Sequence, residues 1–86
     1  MRKVLISEKS SKQINKFPEK DQDTILNTLA LLERGDRNLD IKKIQGEKNL
    51  FRIRKGDYRI LFEINKTNDT FEILEVATRG KSYRKL

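Results

Sequence analysis

The sequence predicts an α+β fold: a short N-terminal strand, a helical hairpin, then a three-stranded antiparallel meander, with the helices packed on one face of a small sheet. Three observations carry this prediction. From Leu50 to Val76 apolar and polar residues alternate, which is the period of half-buried strands. Ile25, Leu29 and Leu32 recur at the i, i+4, i+7 spacing of a helix. Gly56-Asp57 and the stretch Lys66 to Thr70 break the alternating region with turn-forming residues.

The first strand is Lys3 to Ser7, with Val4 and Ile6 on one side and Leu5 on the other. Ser7 suits the cap of a first helix, about Glu8 to Lys16, whose strong apolar anchors are Ile14 and Phe17. Pro18 ends that helix and starts a second, because its fixed φ and missing N–H are tolerated only at a helix start. The second helix spans about Glu19 to Arg34. Glu19 and Asp21 suit its dipole, and Leu26, Ala30 and Leu31 widen its apolar stripe. Gly35 fits the residue just past its C-terminus. Asp36 to Asn49 shows no strong period and reads as a connector, tacked down by Leu39, Ile41 and Ile44, with a turn at Gly46.

The meander has two unlike faces. Glycine at the first central position of Gly56-Asp57 fits a two-residue type II′ hairpin. That turn sets Lys55 opposite Tyr58, Arg54 opposite Arg59, Ile53 opposite Ile60, Arg52 opposite Leu61 and Phe51 opposite Phe62. Phe51, Ile53, Ile60 and Phe62 then form a core face, and Arg52, Arg54, Arg59 and Leu61 the other. A three-residue loop at Thr67-Asn68-Asp69 would set Phe62 opposite Leu74 and Ile60 opposite Val76, with Arg79 leaving the last strand on the arginine side. Arg54 opposite Arg59 costs stability, because like charges in a cross-strand pair repel. An anionic partner explains such a pair. The competing explanation is a solvated lattice in which Glu63 and Glu75 neutralise the arginines.

At 86 residues the chain is read as one domain, 1–86, with room for a single two-layer core. Hydrophobic residues are 35% and charged residues 38%, so stability is expected to be marginal and supplemented by a partner. The net charge is +7, from 20 Lys+Arg against 13 Asp+Glu, which favours phosphate backbones, acidic proteins or anionic membranes. No apolar run approaches a membrane span and no secretory signal is evident, so a cytoplasmic protein without membrane association is expected. There is no Cys and no His. Disulfides, thiol nucleophiles, zinc-thiolate sites and the commonest general base are thereby excluded.

Phe-Arg-Ile-Arg at 51–54, Gly-Asp-Tyr-Arg at 56–59, Ile-Leu-Phe-Glu-Ile at 60–64, Ile-Leu-Glu-Val at 73–76 and Arg79-Gly-Lys-Ser-Tyr83 together resemble the RelE/ParE superfamily of bacterial and archaeal toxins. The element order agrees, so the resemblance covers nearly the whole chain. The RelE branch comprises ribosome-dependent mRNA interferases that cut the codon in the A site; the ParE branch poisons DNA gyrase. Arg79 and Tyr83 together favour the RelE branch.

The RelE resemblance implies a metal-independent endoribonuclease without cofactor. An RNA 2′-OH attacks its own 3′ phosphodiester, leaving a 2′,3′-cyclic phosphate and a 5′-OH. It implies Arg59, Arg79 and Tyr83 as catalytic residues and Arg52 and Arg54 as phosphate contacts; Lys55 and Lys81 are backup phosphate contacts beside them, and Lys81 is also a candidate base. Arg59 and Arg79 would clamp the scissile phosphate, and Tyr83 would stack on the displaced base or exchange a proton. Glu63 and Glu75 are alternative bases, and packing at the core edge is the structural alternative for Tyr83. Arginine stands at two positions where some relatives carry lysine, which removes a deprotonatable group there. The implied partners are an acidic or amphipathic RelB-like antitoxin, the 30S ribosomal A site and mRNA. Operator DNA enters only through the antitoxin complex. A ParE-like gyrase inhibitor and a non-catalytic RNA- or DNA-binding module are the alternatives.

Overall fold

In the computed structural model, which describes residues 2–78, the chain runs β1 (Lys3–Ile6), α1 (Glu8–Asn15), α2 (Glu19–Arg34), β2 (Asp40–Lys43), β3 (Leu50–Lys55), β4 (Tyr58–Asn65) and β5 (Thr70–Thr78). The five strands form one mixed sheet in the order β1-β5-β4-β3-β2. β1 pairs parallel with β5, from Lys3 beside Thr70 to Ile6 beside Ile73, and every other neighbour is antiparallel.

Local chemistry sets the helix ends. The Ser7 Oγ accepts the Ser10 N–H at 3.0 Å and caps α1. Within α1, Ser10 is fully buried and its hydroxyl donates to the Ile73 carbonyl at 3.1 Å, which fastens the helix to β5. The Val76 N–H donates to Gln13 Oε1 at 2.7 Å along the same edge. Pro18 occupies the N-cap of α2, and the Gln22 side-chain amide donates to the Phe17 carbonyl at 2.8 Å. Gly35, at φ 76°, closes α2: its N–H donates to the Leu32 carbonyl and the Asp36 N–H to the Leu31 carbonyl. No described helix is long and apolar enough to cross a membrane.

Both helices lie on one face of the sheet. Ile14, Ile25, Leu29 and Leu32 pack against Ile53, Ile60, Phe62, Ile73 and Val76. Phe62 sits between Phe51, stacked at 5.5 Å, and Phe71, edge-on at 5.5 Å. Val4, Phe17, Leu39, Phe51, Tyr58, Ile64 and Phe71 close the rim. The stripe on α2 is narrower than the sequence suggests: Leu26 and Ala30 are exposed and Leu31 is half-buried.

The β3–β4 pairing matches the register expected from the two-residue turn at every position. Gly56 has φ 57° and Asp57 does not share a positive φ, as the turn type requires. Two expectations are corrected. The connector contains a fifth strand, β2, which adds to the free edge of β3. Ile41 is accordingly an exposed edge residue rather than a core tack. The β4–β5 loop has four residues, 66–69, with Asp69 at φ 56°. A bulge at Leu74 absorbs the difference, so Phe62 faces Ile73 rather than Leu74. Ile73 is fully buried and Leu74 half-buried.

Tyr58 ties the hairpin to α2. Its hydroxyl donates to the Asp21 carboxylate at 2.6 Å, and its ring packs on Phe17 with centroids 4.8 Å apart. That hydrogen bond first, then burial and the negative charges of Asp21 and Asp57, push the phenol from 10.0 up to about 12. A raised folded-state value means that the folded protein holds this proton more tightly than the unfolded chain does. The contribution is therefore complete below pH 10.0 and fades as the pH rises to about 12. Tyr58→Phe should remove this alkaline component: its difference from wild type in urea-melt midpoint should shrink across that window. A difference independent of pH would show that the hydrogen bond contributes nothing.

Candidate nucleic-acid interface

The sheet face turned away from the helices carries its side chains in rows fixed by the strand register. One row runs Asp40, Arg54, Arg59, Ala77, and the next Lys42, Arg52, Leu61, Glu75. Beyond the bulge, Glu63 pairs with Glu72 and Leu5 lies beside Glu72. Charge is thus sorted along the strands. The basic residues gather at the Gly56-Asp57 end, and a glutamate pair sits toward the other.

This sorting bears on the salt-bridge alternative. A lattice built for stability would interleave the signs, because like charges directly opposite each other destabilise. Here Arg54 faces Arg59 and Glu63 faces Glu72. Neither Glu63 nor Glu75 pairs with an arginine among the described residues. Glu75 instead meets Lys9 of α1 at 3.5 Å, and Glu72 accepts from Asn65 at 2.9 Å and Thr70 at 3.2 Å. The acid that does meet arginines is Asp40: its Oδ1 lies 3.8 Å from Arg52 Nη1 and its Oδ2 3.3 Å from Arg54 Nε.

The three described arginines of this face differ in setting. Arg52 lies low in the face, with 14% of its side chain exposed, flanked by Lys42 and Leu61 across the strands. Its Nη1 is buried and finds no hydrogen-bond acceptor among the described residues. Arg54 is 49% exposed. Arg59 folds over the hairpin turn, where its Nη1 donates to the Gly56 carbonyl at 3.2 Å and the Tyr58 carbonyl at 2.9 Å. Those carbonyls fix the guanidinium without neutralising it, and Arg59 has no acidic partner among the described residues. Fixed, uncompensated guanidinium groups are suited to phosphate oxygens.

Of the residues singled out by sequence, Arg52, Arg54 and Arg59 share this face. Lys55 does not: its strand parity is that of Phe51 and Ile53, although its side chain is exposed. Arg79, Lys81 and Tyr83 lie outside the described residues. Two residues on the face escaped the sequence reading, Lys42 and Asp40, because β2 was expected to be irregular. The available signal was the run Asp40-Ile41-Lys42, polar-apolar-polar, between Asn38 and Gly46.

Known proteins share this architecture. A family model described as the ParE toxin of the parDE type II toxin–antitoxin system matches residues 4–83. Toxin RelE3 of Methanocaldococcus jannaschii is 48% identical over 48 residues, which is 56% of this chain and 52% of that protein. The chain thus spans about half the length of that curated relative. The archaeal RelE–RelB complex from Pyrococcus horikoshii OT3 superposes with a TM-score of 0.77 at 27% identity, covering 94% of this chain and 98% of that one. The RelB–RelE complex from Methanococcus jannaschii gives 0.74 at 31% identity, covering 87% and 89%. Isolated E. coli RelE gives 0.79 at 14% identity, covering 96% and 89%, a likeness of fold alone.

Proposed function

Starting from the fact that this chain belongs to the ParE-toxin family of type II toxin–antitoxin systems, on the RelE-like side of the RelE/ParE superfamily, we propose that it is a ribosome-dependent mRNA endonuclease. One observation carries the reading: the register gathers Lys42, Arg52, Arg54 and Arg59 at one end of an open sheet face. An extended, multiply charged ligand fits such a surface better than a small molecule does. Thr78, the last described residue of β5, pairs with Tyr58 at that end of the sheet, and Arg79 is next in the sequence.

In the proposed reaction the RNA 2′-OH attacks the adjacent phosphorus in line, and the 5′ oxygen leaves. Arg59 and Arg79 hold the non-bridging oxygens, on which charge builds. Arg52 and Arg54 bind the flanking phosphates, with Lys81 as a further phosphate contact. Tyr83 stacks on the displaced base or exchanges a proton. With no His in the chain, proton transfer is weak and most of the rate comes from positioning, which the ribosomal A site supplies. The same reading supplies a RelB-like antitoxin as partner, in keeping with the relatives described as RelE–RelB complexes. An acidic or amphipathic segment of such a partner complements the basic face.

Primer extension on a defined mRNA in a reconstituted translation mix tests this. Wild type should cut within the A-site codon, and Arg79→Ala and Tyr83→Ala should each lose the cuts while remaining folded by circular dichroism. Cuts that persist in both variants would overturn the site assignment. The family match itself favours one other reading, a ParE-like poison of DNA gyrase. Intact mRNA together with loss of gyrase supercoiling would select it.

A further inference from the structure

Asp40 is the one described acid that meets the arginines of the open face, and it meets two of them with one oxygen each. Oδ1 lies 3.8 Å from Arg52 Nη1 and Oδ2 lies 3.3 Å from Arg54 Nε. A phosphodiester offers the same pattern, two anionic oxygens on one centre. The contact to Arg52 is too long for a hydrogen bond, and the Arg52 Nη1 facing it is buried without an acceptor among the described residues. The donor is thus in place but unused. Asp40 is 57% exposed on the outermost strand, where ion pairs are weak and easily exchanged.

We propose that Asp40 is a displaceable internal anion: it occupies the phosphate position between Arg52 and Arg54 in the free protein and yields both guanidinium groups when RNA binds. The inference rests on the nucleic-acid reading above and deepens it. In the free state Asp40 offsets repulsion within the crowded row Asp40, Arg54, Arg59, and it pre-spaces the two arginines. It also sets a threshold. A lone phosphate must compete with a tethered carboxylate, whereas an RNA strand that reaches Arg59 and Lys42 as well gains contacts the carboxylate cannot match. Asp40 thereby lowers affinity for short or isolated anions and leaves selection to ligands that span the face.

Fluorescence anisotropy with a labelled single-stranded RNA dodecamer, from about 50 to about 200 mM NaCl, tests the proposal. Asp40→Asn should bind roughly three- to tenfold more tightly at low salt, because a unit charge a few ångströms from the phosphate is removed. Its log–log salt slope should steepen by about 0.7, because no displaced carboxylate then takes up a cation to offset one counterion released from the strand. Asp40→Glu should keep the wild-type slope. Glu19→Gln, which removes a charge from the first turn of α2, should change neither quantity. In the Arg52→Ala, Arg54→Ala background, Asp40→Asn should lose its gain, since nothing remains to release. Equal or weaker binding by Asp40→Asn would overturn the proposal, as would a gain that survives loss of both arginines. Failure of the underlying nucleic-acid reading has a different signature: Arg52→Ala and Arg54→Ala would then bind the dodecamer as well as wild type does.

Discussion

Arg59→Ala is expected to slow mRNA cleavage in a translating system by about a hundred- to a thousandfold while changing folding stability by no more than about 0.5 kcal/mol. The two effects separate because of where the guanidinium sits. The Gly56 and Tyr58 carbonyls hold it at 3.2 and 2.9 Å, so the guanidinium is fixed before any ligand arrives. A donor fixed in advance acts on developing charge without reorganisation in the transition state. For folding, the residue is almost neutral. It loses hydrogen bonds that water can replace on a half-buried turn, and it relieves repulsion against Arg54 directly across the strand. Arg59→Lys should fall between, since it keeps the charge and loses the planar fork. Single-turnover cleavage beside urea melts reads both quantities. A variant within tenfold of wild type, or one that unfolds, would show that Arg59 is a structural residue of the hairpin.

The hairpin was legible in the sequence because two local signals agree there. Gly56 admits the positive φ that a two-residue turn needs, and the alternation of Phe51, Ile53, Ile60 and Phe62 with Arg52, Arg54 and Arg59 favours one register, with Leu61 the one apolar residue left on the arginine side. That is why Arg52, Arg54 and Arg59 could be assigned to one face. The second loop lacked such agreement. Ile73 and Leu74 are adjacent and both aliphatic, so alternation accepts either one in the core. The choice of Ile73 comes from the Asp69 conformation at φ 56° and from the pairing of β5 with β1, which begins nearly seventy residues earlier in the chain. β2 was faint for another reason: all four of its residues are exposed, so the short alternation Asp40-Ile41-Lys42 has no buried face behind it. It forms because β3 offers an unpaired edge, a property of the assembled sheet. Asp40 and Lys42 reach the candidate site only through that pairing.

Phe62→Ala should cost about 3–5 kcal/mol, the range for a buried aromatic whose cavity only partly collapses. The ring is 2% exposed and is held between Phe51 and Phe71 at 5.5 Å each, so its removal weakens the cross-strand stack as well as the helix–sheet contact. A domain of this size has about 5–15 kcal/mol in total, and this one has only 35% hydrophobic residues with which to build its core. The melting temperature should fall by on the order of 15–30 °C, at a few degrees per kcal/mol. Binding of a partner to the folded state alone should restore part of the loss by mass action. The neighbouring pair Ile73 and Leu74 checks that the loss comes from the observed packing. Ile73 is fully buried opposite Phe62, and Leu74 sits half-buried on the bulge. Ile73→Ala should therefore cost about 2–5 kcal/mol, and Leu74→Ala roughly half of that or less in proportion to its burial. Thermal melts of the three variants decide the matter. A larger loss for Leu74→Ala than for Ile73→Ala would mean that the strand pairs without its bulge. That outcome would also bring Ile73 and Phe71, in place of Glu72 and Thr70, onto the far end of the face that carries Arg59, while Ala77 and Glu75 stayed beside it.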